Sequence, residues 1–225
     1  MGEYINKIFN REREFDEIIE EVLFIAEHEK NKDQRREKIL HLTAKVKRAY
    51  LAAHYDAITD SLTGCFNKKH IKEMFHHQYS LAKRNNQYFS LVAMDIDYLK
   101  YINDTYGHNK GDEVIKNVIR VVSKIVRDED LVFRYGGDEF ILFCIHNNKL
   151  GIKKISARIK KEVSSLKTVK GHKPAVTIGY ATVKTNGGDN VGYATLFQEA
   201  DEMLYEEKHK RKPPAFLKDI KSRQY

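Results

Sequence analysis

The run Tyr135-Gly136-Gly137-Asp138-Glu139-Phe140 sets two adjacent acids behind two glycines, between apolar stretches on either side. Leu131-Val132-Phe133-Arg134 upstream and Phe140-Ile141-Leu142-Phe143-Cys144-Ile145 downstream carry the β-branched and aromatic bias of strands. The pattern therefore predicts a β-hairpin turning at Gly136-Gly137, which commits this part of the chain to a sheet. Glycines there would relieve the strain of positive φ and leave room for a ligand near the backbone. Adjacent carboxylates repel unless something positive lies between them, and hard oxygen ligands suit Mg²⁺ carrying substrate phosphates. On these six residues alone, a solvated acidic turn accounts for the pattern equally well.

A second block shifts that balance. Ser90-Leu91-Val92-Ala93-Met94 reads as a buried strand, and it ends in Asp95-Ile96-Asp97, followed by Tyr98-Leu99-Lys100-Tyr101-Ile102-Asn103 and on to Gly111-Asp112. A carboxylate at the end of a buried strand is costly unless it meets a cation. Strand ends are where α/β sheets place ligands, so a neighbouring hairpin bearing Asp138 and Glu139 would complete a carboxylate cluster suited to two metal ions.

The rest of the chain sets bounds. Its 225 residues, 32% charged and 41% hydrophobic, suit a globular domain with an appendage. No apolar run approaches the ~20 residues of a membrane span. The amino end has no signal-peptide core, and Asn6 stands where a myristoylation signal needs Ser or Thr, so a cytoplasmic protein is expected. Cys65 and Cys144 are too few for a disulfide scaffold and are expected to be reduced, partly buried thiols. The net charge of +8 is spread along the chain apart from Lys208-His209-Lys210-Arg211-Lys212, which does not by itself indicate a nucleic-acid partner.

Residues 1–58 have no Pro, no Gly after Gly2, and many Glu, Lys and Arg, and so read as helix. Ile8, Phe15, Ile18, Val22 and Ile25 follow heptad-like spacing, as do Ile39, Leu42, Val46, Ala49 and Ala53, with a phase break between the sets. Either a hairpin turns near Asn31-Lys32-Asp33 or one long helix carries a coiled-coil break. The apolar stripe needs a partner, either the same stripe on a second copy or the chain's own globular domain. From Asp60 onward the pattern predicts helix 67–84, strand 88–94, helix 111–126, strands 131–135 and 139–145, helix 149–166, strand 174–183 and helix 193–211. This is an α/β domain whose mixed central sheet is flanked by helices. Asp60 or Asn67, and Gly111-Asp112, are the expected helix starts.

The motifs together resemble the GGDEF family of diguanylate cyclases. The resemblance runs from about Asp60 to Lys212 and rests on Asp60-Ser61-Leu62-Thr63-Gly64-Cys65-Phe66-Asn67, the Asp95–Asp112 block, the 136–140 turn and Ala200-Asp201-Glu202-Met203-Leu204-Tyr205-Glu206-Glu207-Lys208, in the family's order. It implies a palm-like domain over residues 59–213, a helical dimerisation or signalling region over 1–58 and a basic tail over 214–225. It also implies condensation of two GTP into cyclic di-GMP by a homodimer with one GTP per half-site, using Mg²⁺ or Mn²⁺, two ions per site.

By the same resemblance, Asp95 and Glu139 are the principal metal ligands and catalytic acids, with Asp138 beside them and the Ile96 carbonyl supplying a further oxygen. Adjacent strand residues point to opposite faces, so only one of Asp138 and Glu139 can aim directly at a metal unless the turn distorts. Asn103 and Asp112 stand where the family reads guanine, whose N–H donors suit a carboxylate. Capping is their alternative role. Tyr98, Leu99 and Lys100 match the triphosphate cradle, and Lys208 and Lys212 match the phosphate-neutralising cations, Lys212 replacing the usual Arg. Arg211 for Gly and Pro213 for Asn make the end of the last helix the least family-like part of the match. Arg127 and Asp130, ahead of Gly136, resemble the RxxD site at which product inhibits, although an Arg and Asp at this spacing is also an everyday surface ion pair. The competing reading is a non-catalytic receptor for GTP or cyclic di-GMP.

Overall fold

The computed structural model describes residues 17, 19–25, 28, 31–167, 173–185 and 191–210. The chain divides into two units, residues 1–57 and 58–225. Ile8, Phe15, Ile18, Arg211, Lys212 and Pro213 lie outside the described residues. Among those described, no helix is long and apolar enough to cross a membrane.

In the first unit, residues 19–25 are helical and α1 spans Lys32–Ile58. Ile25 and Leu42 are buried together, with Val22, Ile39 and Val46 packed against them. On one continuous helix Ile25 and Leu42 would stand about 25 Å apart, at ~1.5 Å per residue. Their contact means that the chain doubles back as a helical hairpin. Asn31 starts the return helix, its side chain accepting from the amides of Asp33 at 3.0 Å and Gln34 at 3.4 Å. Val22, Ile25, Ile39, Leu42 and Val46 therefore cover one another, whereas Ile19, Leu23, Phe24, Leu40, Tyr50 and Tyr55 are exposed.

The second unit is built on a five-stranded sheet. Its strands are β1 (Phe66–Asn67), β2 (Tyr88–Ile96), β3 (Leu131–Arg134), β4 (Glu139–His146) and β5 (Val176–Lys184), in the order β1-β3-β4-β2-β5. Its helices are α2 (Ile71–Arg84), α3 (Leu99–Tyr106), α4 (His108–Ile125), α5 (Gly151–Ser164) and α6 (Tyr193–Lys210). β1 pairs with β3 in parallel, and every other pairing is antiparallel. The helical crossovers do join parallel strands, β2 to β3 and β4 to β5, but each steps over one intervening strand, as in a split βαβ arrangement.

Both faces of the sheet are covered, and strand alternation sorts the core. Val92, Met94 and Ile96 of β2 with Phe140, Leu142 and Cys144 of β4 pack against Val114, Val118 and Val122 of α4 and Ile152 and Ile159 of α5. Phe89, Leu91 and Ala93 with Ile141, Phe143 and Ile145 pack on the other face against Phe75 of α2 and Leu196, Ala200 and Leu204 of α6. Cys65 and Cys144 are free and buried.

Two expected helix starts differ. Asn67 caps a short 3₁₀ turn, Lys68–His70, accepting from Lys69 N. Gly111-Asp112 lies inside α4 instead, which begins at His108 after Gly107 (φ 84°), and α3 is a helix where the sequence pattern predicts none. Gly111 stands in the first turn of α4, where a Cβ would land on the Asn103 side chain of α3.

Close approach also governs Gly179 of β5, where a Cβ would meet the backbone of α6 at Ala200 O and Leu204 N. Gly179→Ala is expected to force α6 off the sheet and cost about 3 kcal/mol. Chemical denaturation of the two proteins checks this, and a loss within error of zero would disprove the packing described.

Candidate active site

Asp95 stands at the carboxyl end of the buried strand β2, flanked in register by Glu139 of β4 and Thr177 of β5. All three belong to the α2/α6 face by alternation. Asp95 is 6% exposed, and its Oδ2 lies 2.7 Å from Lys208 Nζ near the end of α6. Burial pushes its carboxyl up to about 6, with Asp138 and Asp97 adding to the rise and Lys208 opposing it. A carboxylate held this far above its ordinary value is poised to take a stronger cation than one lysine.

Around it opens a cavity of about 310 Å³ lined by Asp95, Ile96, Asp97, Tyr98, Leu99, Lys100, Asp138, Thr177 and Lys208. The chain turns from β2 into α3 through Tyr98, which holds the left-handed conformation (φ 62°) rare for a non-glycine residue. Helix geometry leaves the first amides of α3 without intrahelical acceptors, so they form an anion-seeking end at the cavity. Asp97 is held by Thr177, whose hydroxyl donates to Asp97 Oδ1 at 2.6 Å, and by its own amide, which donates to Ala175 O at 2.9 Å.

The hairpin turn departs from expectation. Neither Gly136 nor Gly137 has positive φ. The amides of Tyr135 and Gly136 donate to Glu139 O, at 2.8 and 3.1 Å. Gly136 is needed for space: a Cβ there would sit 2.6 Å from Glu139 Oε2, so the Glu139 carboxylate folds against the turn. Asp138 precedes the strand, escapes its alternation and lines the cavity, and its carbonyl accepts from Ile96 N at 3.0 Å. The structure thus brings Asp138 into the cavity with Asp95, while Glu139 shares Asp95's row through its backbone but is not among the lining residues.

Arg134 fixes the turn from below. Its Nε donates to Gly136 O at 3.2 Å and its Nη2 to Gly137 O at 2.9 Å, while Nη1 reaches Asp60 Oδ1 at 3.0 Å. Asp60 Oδ1 also accepts from the Thr63 hydroxyl at 2.7 Å. Burial raises the Asp60 carboxyl, but Thr63 and Arg134 outweigh it and hold the group below its usual value. Sequence reasoning gave Arg134 and Asp97 no role. Their signals were an arginine two residues before the predicted turn and a second acid two after Asp95.

Asn103 and Asp112 lie on α3 and α4, brought near each other by the contact between Asn103 and Gly111, and outside the cavity lining. Arg127 and Asp130 are not presented as a pair of free recognition groups. Asp130 is 7% exposed, and its oxygens accept from Arg127 N at 3.0 Å and Ile145 N at 3.2 Å. The Arg127 guanidinium lies 3.5 Å from Glu129 Oε1.

Residues 57–213 match the family model described as "Diguanylate cyclase, GGDEF domain". The chain belongs to the GGDEF family of diguanylate cyclases. It is 35% identical over 148 residues to the diguanylate cyclase DosC of Escherichia coli K12, covering 65% of this chain and 32% of that one. It is 31% identical over 179 residues to DgcP of the same organism, covering 77% and 51%. The chain thus spans about a third to a half of these relatives. Among solved GGDEF structures, the GGDEF domain of DgcB from Caulobacter crescentus in complex with c-di-GMP aligns with TM-score 0.61 at 28% identity, over 68% of this chain and 88% of that one. The coiled coil and GGDEF domain of the same protein share the fold with TM-score 0.68 at 24% identity, over 79% and 94%.

The donor set of this GGDEF site fits a hard divalent cation, with two carboxylates and a strand-end carbonyl meeting where Lys208 already neutralises Asp95. Among the described residues no group of three or more His, Cys, Asp or Glu is gathered for a metal, so phosphate oxygens and water would supply the remaining ligands.

The raised pKa of Asp95 gives a stability test. Between its ordinary value of 3.8 and about 6 the folded protein binds more protons than the unfolded one, so burying Asp95 costs stability as pH rises through that window, and the cost is full above it. In the presence of chelator, Asp95→Asn is expected to melt higher than the parent above pH 6, the gain shrinking as pH falls toward 4. Thermal melts across that range would expose the opposite outcome, a variant less stable at every pH.

Proposed function

We propose that this chain is a diguanylate cyclase that joins two GTP into cyclic di-GMP, the 3′-hydroxyl of each attacking the α-phosphate of the other and releasing two pyrophosphates. The observation that carries the proposal is the convergence of Asp95, Asp138, the first amides of α3 and Lys208 on one cavity. Family membership and the names of the relatives support it, as does the likeness to a GGDEF domain solved with c-di-GMP.

In this reading the amides of Tyr98, Leu99 and Lys100 orient the triphosphate, and the Lys208 ammonium transfers from Asp95 to a phosphate oxygen as the nucleotide enters. Asp95, Asp138 and the Ile96 carbonyl would hold Mg²⁺ or Mn²⁺, with Glu139 able to join them by turning its side chain away from Gly136. When bound, up to two such ions per site neutralise phosphate charge and lower the pKa of the attacking hydroxyl. Asn103 and Asp112 recognise guanine, the carboxylate accepting from its N1–H and N2–H groups. Lys212 is assigned to phosphate by resemblance alone.

One GTP per domain requires two domains to face each other, and the exposed Ile19, Leu23, Phe24, Tyr50 and Tyr55 of the helical hairpin offer apolar area for a homodimer. Feedback through the RxxD motif is assigned to Arg127 as the phosphate and guanine donor, with Asp130 shaping the loop from beneath.

Incubating the full chain with GTP and Mg²⁺ and separating the nucleotides tests the activity. Cyclic di-GMP is expected from the parent, with Asp138→Asn and Glu139→Ala each lowering turnover by about 10²-fold or more. GTP that binds but is never turned over, at any protein concentration, would instead favour a receptor. A chain beginning at Tyr55 is expected to lose activity at low protein concentration and regain part of it when concentrated, and equal activity at all concentrations would refute dimerisation through the hairpin. Arg127→Ala is expected to relieve inhibition by added cyclic di-GMP while leaving the initial rate unchanged, as measured from progress curves.

A further inference from the structure

The outer surface of the α4/α5 layer is cationic in a way that the proposed chemistry leaves unused. The buried positions of α4 are Gly111, Val114, Ile115, Val118, Ile119 and Val122, and those of α5 are Ile152, Ser156, Ile159 and Val163. At 100° per residue, the opposite, outward stripes carry Lys116, Arg120 and Lys124 on α4 and Lys154, Arg158 and Lys161 on α5. All six are exposed, and among the described residues none of them pairs with an acid. Glu113, the acid on the α4 stripe, is held by Lys110 at 2.6 Å, which leaves Glu162 as the acid beside the α5 cations. On the other face α6 exposes Glu199, Asp201, Glu202 and Glu206, whereas α2 on that same face exposes Lys72, Lys83 and Arg84 with Glu73.

We propose that the α4/α5 face docks on an anionic phospholipid surface. Six cations without an acidic partner among the described residues, spread over the backs of two packed helices, suit a flat, diffuse negative charge, and the acidic stretch of α6 then points away from it. Leu150, 61% exposed at the head of α5 beside Lys149, Lys153 and Lys154, is the exposed aliphatic of this unit among the described residues, and it is placed to enter the headgroup layer. Nucleic acid fits less well. Neither helix carries Phe, Tyr or Trp on which bases could stack, and the Asn117 amide that could read a base edge is bonded to Arg120 at 2.8 Å.

The test is co-sedimentation of the full chain with vesicles of phosphatidylglycerol and phosphatidylcholine, against vesicles of phosphatidylcholine alone. Binding is expected only to the anionic vesicles at about 0.1 M salt and should be abolished at about 1 M. The triple variant Lys154→Glu, Arg158→Glu, Lys161→Glu should lower partitioning at least about tenfold. Leu150→Ser, which leaves every charge in place, should lower it severalfold. The proposal is overturned if the anionic vesicles fail to bind the parent at low salt, if binding persists in the triple variant, or if labelled duplex DNA or RNA binds through the same cations while the vesicles do not. Circular dichroism of both variants separates a lost surface from a lost fold.

Discussion

Strand β2 is paired along its length on both sides and buried from Phe89 to Ile96, yet it ends in a carboxylate. Most of what surrounds the site follows from accommodating that charge. Lys208 must extend from the last turns of α6 to reach it, and Gly179 must lack a side chain so that α6 can pack against β5. The chain leaves the strand through a left-handed Tyr98, which swings the start of α3 and its first amides to the same point. A site suited to phosphate and metal is thus assembled around a group that burial makes expensive, so stability is given up where binding could recover it.

Two small devices hold the surrounding loops without adding core. The fork of Arg134 bonds both glycine carbonyls of the hairpin and the carboxylate of Asp60, so the acidic turn is set by a guanidinium that is itself half-buried against the sheet. Asn103 seats on Gly111, which lets α3 and α4 run close together and carries Asp112 to Asn103's side. In each case a glycine is required by the volume of a neighbouring side chain. The backbone freedom usually offered as the reason for glycine in a turn is not used at either position.

Those devices mark where the sequence was legible and where it was not. Strands β2 to β5, the crossover helices, the hairpin at 136–137 and the strand-end acid could be read from the alternation of apolar residues and the position of Asp95, because burial leaves its period in the sequence, whereas the two-residue β1 is too short to carry one. The contact of Glu139 with Gly136 could not, since it depends on a side-chain rotamer, and neither could the choice of Asp138 as the cavity-lining acid, since Asp138 lies just outside the strand whose alternation was being counted. α3 was missed because its eight residues are short for a periodic signal and its capping residue, Tyr98, has no capping side chain. The helical hairpin of the first unit was one of two readings left open by the break between heptad sets, and only the contact of Ile25 with Leu42 distinguishes them.

The size of the cavity bears on how two nucleotides could be joined. At about 310 Å³ it is at the small end of ligand sites, room for the phosphate end of one nucleotide. Asn103 and Asp112, the proposed guanine readers, sit beyond its lining, on α3 and α4, so in that reading a bound nucleotide would extend outward from the carboxylates along those helices. In the proposed reaction each nucleotide is attacked by the other, and a second domain would present the matching half-site. Any rate advantage must come from whatever raises the local concentration of one half-site near the other, and an apolar helical hairpin at the amino end is a device that can do so without touching the chemistry.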